Sequence, residues 1–173
     1  MNRPAGTVVI GIGNEFRRDD GVGWAVVALL RDRATEQPLP AGTALVQSDG
    51  DPGRLIGLWE NAGLAVVVDA CFPRPTRPGR AHRWCTATGG ALRAAAPARS
   101  STHGFGLAEA LYLGDRLGCC PGRVVVYAVE GADHAPGRGL TPAVASAVPR
   151  LVRRIEGDIR RYDAAPAPGV RAE

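Results

Sequence analysis

Two carboxylates and one imidazole are the side chains whose types and positions are best suited to chemistry. Asp20 follows a glycine-rich loop, Asp69 closes an apolar run, and His103 lies between Thr102 and Gly104. Carboxylate and imidazole donors suit nickel or zinc, and three protein ligands leave coordination positions open for a substrate or water. We therefore predict that Asp20, Asp69 and His103 form a site that contacts a divalent metal.

The segments that must position these residues alternate between strand and helix patterns. Apolar or β-branched runs predict strands, and apolar residues at helical spacing predict helices. The predicted strands are 7–12, 43–47, 64–68, 123–129 and an edge strand at 80–86. The predicted helices are 20–31, 52–60, 103–117 and a last one opened by Thr141 as N-cap and Pro142 in the first turn.

This order of elements predicts a single α/β domain with a mostly parallel, twisted sheet of about five strands and helices on both faces. The domain is expected to span residues 1–163. Residues 164–173 have little apolar surface and are expected to be disordered. In open α/β sheets the ligand site lies at the carboxyl ends of the strands. That edge would receive Asp20, Asp69 and His103.

Each of the three residues also has a purely structural interpretation. Asp20 could cap the helix that follows it, since acidic residues are favoured at helix N-termini. Asp69 could be a turn residue just beyond its strand. His103 could be a helix-start histidine that hydrogen-bonds the preceding loop.

Other chemistries find less support in the sequence. Gly11 and Gly13 begin a dinucleotide-binding pattern, but Phe16 occupies the position of its third glycine. No G-x-S-x-G elbow occurs, and the serines in polar loops have no defined base partner. Cys71 is interpreted as a small apolar loop residue, because no activating base can be named for it.

The charge and cysteine content exclude further classes. The net charge of +4 comes from scattered arginines, since the chain has no lysine, and aromatic residues make up 5%. Nucleic-acid binding would require basic residues gathered on one face, so it is not expected. With no secretory signal or bilayer-length apolar run, we expect a cytoplasmic protein, without membrane insertion, whose four cysteines are thiols.

Several ordered motifs resemble the hydrogenase maturation proteases. The first is Gly11-Ile12-Gly13-Asn14 followed by Asp19-Asp20-Gly21-Val22-Gly23. Val66-Val67-Val68-Asp69-Ala70 resembles the second signature, and Ser101-Thr102-His103-Gly104 with Gly106-Leu107-Ala108-Glu109-Ala110 resembles the third. Val129-Glu130-Gly131-Ala132 and Gly139-Leu140-Thr141-Pro142 resemble the final strand-loop-helix region. The similarity spans approximately residues 8–155.

The resemblance implies an α/β endopeptidase that removes a C-terminal peptide from the large-subunit precursor of [NiFe]-hydrogenase after nickel insertion. The family's metal-contacting residues correspond to Asp20, Asp69 and His103, and nickel would be supplied by the precursor, without an organic cofactor. Cleft-lining residues are expected at Gly13, Asn14, Asp19, Asp49 and Gly53. The proline- and arginine-rich segment 72–79 and the pair Cys119-Cys120 depart from the family pattern and leave partner specificity open.

The corresponding mechanistic hypothesis is that nickel held by the precursor's cysteines is bridged by the two aspartates and the histidine. That bridge would orient the scissile peptide and assist by polarisation or water activation. One alternative is a non-catalytic metallochaperone or assembly factor that senses the metal state of the precursor. Another is a small hydrolase with its own bound metal.

Overall fold

Strands and helices alternate in the computed structural model, which describes residues 6–87 and 104–165. The strands are β1 (Thr7–Ile12), β2 (Thr43–Ser48), β3 (Leu64–Cys71), β4 (Ala81–Ala87) and β5 (Arg123–Glu130). The helices are α1 (Val22–Ala34), α2 (Pro52–Trp59), α3 (Gly104–Leu117) and α4 (Pro142–Asp163). A 3-10 turn, Arg18–Gly21, precedes α1.

The five strands form one sheet in the order β2-β1-β3-β5-β4. β1 pairs in parallel with β2 and β3, and β3 pairs in parallel with β5. β4 runs antiparallel to β5 at the edge of the sheet. The predicted mostly parallel sheet and the predicted edge strand are both confirmed.

Helices cover both faces of the sheet, as its apolar strands require. On one face, α1 and α4 pack on residues such as Val9, Val66 and Val125. On the other face, Leu55 and Trp59 of α2 and Leu107 and Ala110 of α3 pack on the neighbouring strand residues, which include Ile10, Val67 and Val126. Successive side chains of a strand point to opposite faces, so the two apolar cores alternate along each strand.

Several predicted boundaries differ from the observed ones by one to three residues, and two of these differences concern candidate residues. β3 does not end at Val68 but continues to Cys71, because β5 continues the pairing and places Ala128 opposite Asp69. Asp69 is therefore a strand residue, and its interpretation as a turn residue beyond the strand is wrong. The first helix begins at Val22 instead of Asp20, since residues 18–21 form the 3-10 turn.

The last helix begins where the sequence predicts, but its capping threonine behaves differently. Thr141 is the N-cap residue and Pro142 the first helical residue of α4. The Thr141 side chain makes no capping hydrogen bond to the helix, and its hydroxyl donates to the Asp19 carboxylate instead. Val144, Val148 and Leu151 are buried on the core side of α4, as the helical spacing predicts.

Some expectations fall on parts of the chain that the structure leaves undescribed. The alanine-rich stretch at 89–101, His103 and residues 166–173 of the expected tail lie outside the described residues. The expectations for them stay predictions. Among the helices that are described, none combines the length and the apolar character needed to cross a membrane.

Candidate active site at the carboxyl edge of β1 and β3

Glycines pack the first strand-loop-helix unit so closely that their positions exclude larger residues. A Cβ atom at Gly23 would lie 2.6 Å from the Val68 carbonyl oxygen and still nearer to that of Ile12. A Cβ at Gly11 would overlap the Gly23 carbonyl, and one at Gly13 would overlap the Asp20 carbonyl. The glycine motif therefore serves close backbone packing, which holds the Arg18–Gly21 turn against the ends of β1 and β3.

This packing occurs at the point where the sheet changes winding direction. From β2 the chain returns through α2 to β3 on the other side of β1, while α1 and α2 cover opposite faces. In sheets of this kind, ligands bind outside the carboxyl ends of the two strands at the switch point, here β1 and β3. The turn that carries Asp20 contacts β3, which carries Asp69. Both aspartates are buried, with exposed fractions of 0% and 4%.

The structure does not support the interpretation of Asp20 as a helix cap. The N-cap residue of α1 is Gly21, and no side chain makes a capping hydrogen bond there. The backbone of Asp20 closes the loop instead, because its carbonyl accepts a hydrogen bond from the Asn14 amide at 3.3 Å. The loop and the 3-10 turn therefore place Asp20, whose side chain is fully buried.

Asp69 faces the side of the sheet that α2 and α3 cover. Ala65 and Val67, which share its alternation along β3, belong to the core on that side. The first turn of α3 lies at the same edge, since a Cβ at Gly106 would overlap the carbonyl of Gly50 in the loop after β2. His103 precedes α3 in the sequence but lies outside the described residues. Its approach to the two aspartates stays a prediction.

Asp19 anchors a loop. It is fully buried, and its Oδ2 accepts hydrogen bonds from the amides of Ala132 and Asp133 at 2.8 and 3.1 Å. Its Oδ1 accepts from the Thr141 amide at 2.7 Å, and the Thr141 hydroxyl also donates to the carboxylate. Asp19 thereby fixes residues 132–141 beside the turn that carries Asp20.

The other residues expected to line the cleft lie in its loops. Gly13 donates its amide to the Ser48 carbonyl at 3.0 Å, and the Asn14 side chain accepts from the Phe16 amide at 2.9 Å. Asp49 is exposed and pairs with Arg54, and Gly53 is exposed in the first turn of α2. All of them follow β1 or β2 on the carboxyl side, but their contact with a substrate stays a prediction.

Cys71 lies two residues beyond Asp69 and has the character of an inert thiol. It is buried, with 3% of its surface exposed. Burial, together with the negative charges of Glu130 and Asp69, raises the pKa of its thiol to about 12. A thiol with this pKa stays protonated at neutral pH, and the thiolate is the reactive form. This agrees with the sequence-based interpretation of Cys71 as a small apolar residue.

Glu130 is a further buried carboxylate at this edge, and it is not among the predicted site residues. It ends β5 opposite Cys71, and its carboxylate accepts from the Arg77 amide and lies 2.6 Å from His82 Nε2. Burial raises its pKa, but the bonds to Arg77 and His82 outweigh that and leave the pKa below its ordinary value. Its position in the sequence could have identified it as a candidate. Glu130 follows the apolar run 124–129, just as Asp69 follows the apolar run 64–68.

The metal-ligand prediction for this edge concerns two carboxylates and one imidazole. In residues 6–87 and 104–165, no cluster of three or more His, Cys, Asp and Glu side chains is arranged to hold a metal ion. Asp20 and Asp69 supply oxygen donors, and the predicted imidazole of His103 is outside that range. Carboxylate and imidazole ligands are compatible with nickel or zinc.

The fold and the position of this edge define a class of α/β proteins with a ligand site at the β1/β3 switch point, and solved structures with this fold are known. The hydrogenase maturating endopeptidase HybD from E. coli matches with a TM-score of 0.74 and 24% identity, over 91% of this chain and 93% of its own. The [NiFe] hydrogenase maturation protease HybD from Thermococcus kodakarensis matches with a TM-score of 0.70 and 19% identity, over 89% and 99%.

A solution structure of an endopeptidase from Escherichia coli also matches, with a TM-score of 0.77, 23% identity, and coverage of 91% of this chain and 93% of its own. No protein-family model and no curated protein sequence matches the chain. The resemblance to hydrogenase maturation proteases is therefore confirmed at the level of the fold. At these identities the activity is a matter of proposal.

Proposed function

We propose that this chain is an endopeptidase that removes the C-terminal extension of a nickel-loaded [NiFe]-hydrogenase large-subunit precursor. The observation that carries the proposal is the pair of buried aspartates, Asp20 on a turn packed against β3 and Asp69 on β3 itself. They lie at the switch point of a fold shared with solved hydrogenase maturation endopeptidases.

In this proposal the nickel belongs to the substrate. Asp20, Asp69 and His103 contact the metal already held by the precursor, and that contact orients the scissile peptide bond at the carboxyl edge of the sheet. Most of the gain in rate then comes from positioning, which can amount to several powers of ten. Cleavage waits for metal insertion because a precursor without nickel lacks the contact that orients it.

The residues around the two aspartates support a role of this chain in positioning the nickel-loaded precursor. The close glycine packing of Gly11, Gly13 and Gly23 holds the turn of Asp20 against β3, and the loop 132–141 is fastened by Asp19. The site therefore rests on backbone packing, which fixes geometry better than mobile side chains do. The burial of Cys71, which has 3% of its surface exposed, favours carboxylate and metal chemistry over a cysteine nucleophile.

The test is a processing assay with purified protein and nickel-loaded precursor, read by mass spectrometry of the large subunit. Wild-type protein is expected to shorten the loaded precursor and to leave nickel-free precursor intact. Asp69→Ala and His103→Ala are expected to abolish shortening, with circular dichroism near that of the wild type. Asp32→Ala, an exposed aspartate late in α1, is the matched control.

The outcomes separate the proposal from its alternatives. Binding of loaded precursor without shortening would identify a metallochaperone or assembly factor instead. Tight nickel binding in equilibrium dialysis without precursor would indicate a hydrolase with a resident metal. Full activity of Asp69→Ala or His103→Ala would reject the assigned site.

A further inference from the structure

A groove lined by arginines lies between α4 and the β4–β5 edge, on the face of the sheet opposite to the one that Asp69 faces. Its volume is about 700 Å³. Five arginines and one aspartate line it, together with a tyrosine and a glycine, namely Arg83, Tyr127, Arg150, Arg153, Arg154, Gly157, Asp158 and Arg161. The excess of positive charge is large for so small a region.

The floor of the groove is a rigid hydrogen-bonded network. Arg83 binds the buried Asp158 carboxylate with Nε and Nη2, both at 3.0 Å, which ties β4 to α4. The Tyr127 hydroxyl also donates to Asp158, and Arg161 Nη2 donates to it at 2.6 Å. Both carboxylate oxygens of Asp158 therefore accept hydrogen bonds from these neighbours, and its charge does not neutralise the other arginines of the groove.

Three arginines of the groove have no acidic partner in the part of the chain that the structure describes. Arg150, Arg153 and Arg154 are exposed, and no described carboxylate lies within salt-bridge distance of them. Arg154 instead lies over the ring of Tyr127, at 5.6 Å from its centroid. The nearby Glu156 points to the other side of α4, where it pairs with Arg33.

The arginines follow one face of α4 and form a stripe of defined length. Positions 150, 153, 154, 157 and 161 recur at helical spacing, and the Arg161 guanidinium lies beside Gly157, where a Cβ atom would be 3.3 Å from its Nη1. At about 1.5 Å per residue, Arg150 and Arg161 are separated by roughly 16 Å along the helix axis. That distance matches about five residues of an extended chain.

We propose that this groove binds an acidic, extended polypeptide segment of a partner protein. Guanidinium groups bind carboxylates in a bidentate manner, and arginine is the residue type preferred for such contacts. A single phosphate could reach only part of a stripe of this length. Single-stranded nucleic acid normally stacks on exposed aromatic rings, but the tyrosine of the lining, Tyr127, has only 1% of its surface exposed.

The experiment measures binding of fluorescently labelled hexaglutamate to the full chain by anisotropy, without nickel or precursor. Binding is expected, and it should weaken as salt rises from about 0.05 M to about 0.3 M, because exposed charges are screened. The double variant Arg150→Gln, Arg153→Gln should raise the dissociation constant about tenfold. Its matched control, Arg116→Gln, Arg123→Gln, removes two exposed arginines that do not line the groove and should change the dissociation constant less than about twofold.

Three further ligands test whether the groove prefers an acidic peptide to a neutral peptide, a nucleic acid or a phosphate compound. Hexaglutamine should not bind, and oligothymidylate and tripolyphosphate should compete weakly. Tighter binding of oligothymidylate would replace the acidic peptide with nucleic acid, and tighter binding of tripolyphosphate would replace it with a phosphate ligand. Absence of hexaglutamate binding, or equal losses in both double variants with unchanged thermal melting, would overturn the proposal. The proposed protease function would stand in each case, because this assay involves no cleavage.

Discussion

The carboxyl edge of β1 and β3 and the groove beside α4 both contain buried aspartates, but their surroundings carry opposite charge. The edge gathers buried carboxylates, which are Asp19, Asp20, Asp69 and Glu130. The groove surrounds Asp158 with arginines in excess. This difference in charge is the basis of the two proposals, a metal cation at the edge and an acidic peptide in the groove.

The two regions also differ in what holds their aspartates. Asp19 is bound by backbone amides and a hydroxyl, which are neutral donors and bring no positive charge to the site. Asp158 is bound by two arginines and a tyrosine, so its charge is more than compensated. In the first region neutral backbone donors hold the carboxylate in place, whereas in the second the carboxylate holds arginine side chains in place.

The largest effect is expected on the processing rate when an aspartate of the edge is replaced by asparagine, which has nearly the same volume but no charge. Asp20→Asn should slow processing of loaded precursor about 100-fold or more, because in the proposed function the metal contact orients the scissile bond. The measurement is the single-turnover rate of large-subunit shortening. Asp32→Asn, an exposed change in the same helical region, should keep the wild-type rate. Equal rates for Asp20→Asn and wild type would remove Asp20 from the site.

Next in size is the packing that positions the edge. Gly23→Ala should lower the free energy of unfolding by about 3 kcal/mol, since its methyl group would meet the backbone oxygens of Ile12 and Val68. Gly57→Ala is the control: nothing lies within 4 Å of its Cβ position in α2, so it should stabilise by about 0.5–1 kcal/mol. Urea unfolding measures both, and a neutral Gly23→Ala would contradict the close packing.

Loss of the Asp19 anchor should have a smaller effect. Asp19→Ala leaves the amides of Ala132, Asp133 and Thr141 without their acceptor, which should cost about 2 kcal/mol of stability. Hydrogen exchange should accelerate at these three amides more than at β3. Uniform acceleration over the whole chain would instead indicate global destabilisation and no specific anchoring of the loop.

The smallest effect concerns the pH dependence of the groove. Burial raises the pKa of Asp158, but bonds from Arg83, Tyr127 and Arg161 outweigh it, so the folded-state pKa is lower than the ordinary value. The bonds therefore stabilise the protein above the unfolded-state pKa of about 3.9, and the contribution is lost as pH falls through the folded-state pKa. Asp158→Asn should flatten the decline in unfolding free energy below about pH 5. An unchanged slope in chemical denaturation would contradict this assignment.

Most of the fold was predictable because it follows from local patterns. Continuous apolar runs such as 64–68 and 123–129 are typical of strands covered on both faces, and the helical spacing of Val144, Val148 and Leu151 indicates the last helix. The end of β3 was not predictable in this way. Asp69 and Cys71 stay in the sheet because β5 continues beside them, and that partner is distant in the sequence.

The sequence by itself determined the α/β alternation, the glycine motif and the identity of the candidate ligands, since these depend on residue type and short-range spacing. Only the tertiary structure distinguished the neighbours Asp19 and Asp20, because the donors to Asp19 lie more than a hundred residues away. It also gathered Arg83 and the α4 arginines into one groove, although the sequence showed them as scattered charge. Contacts between distant segments form only when the chain packs, so residue order alone does not specify which charges meet.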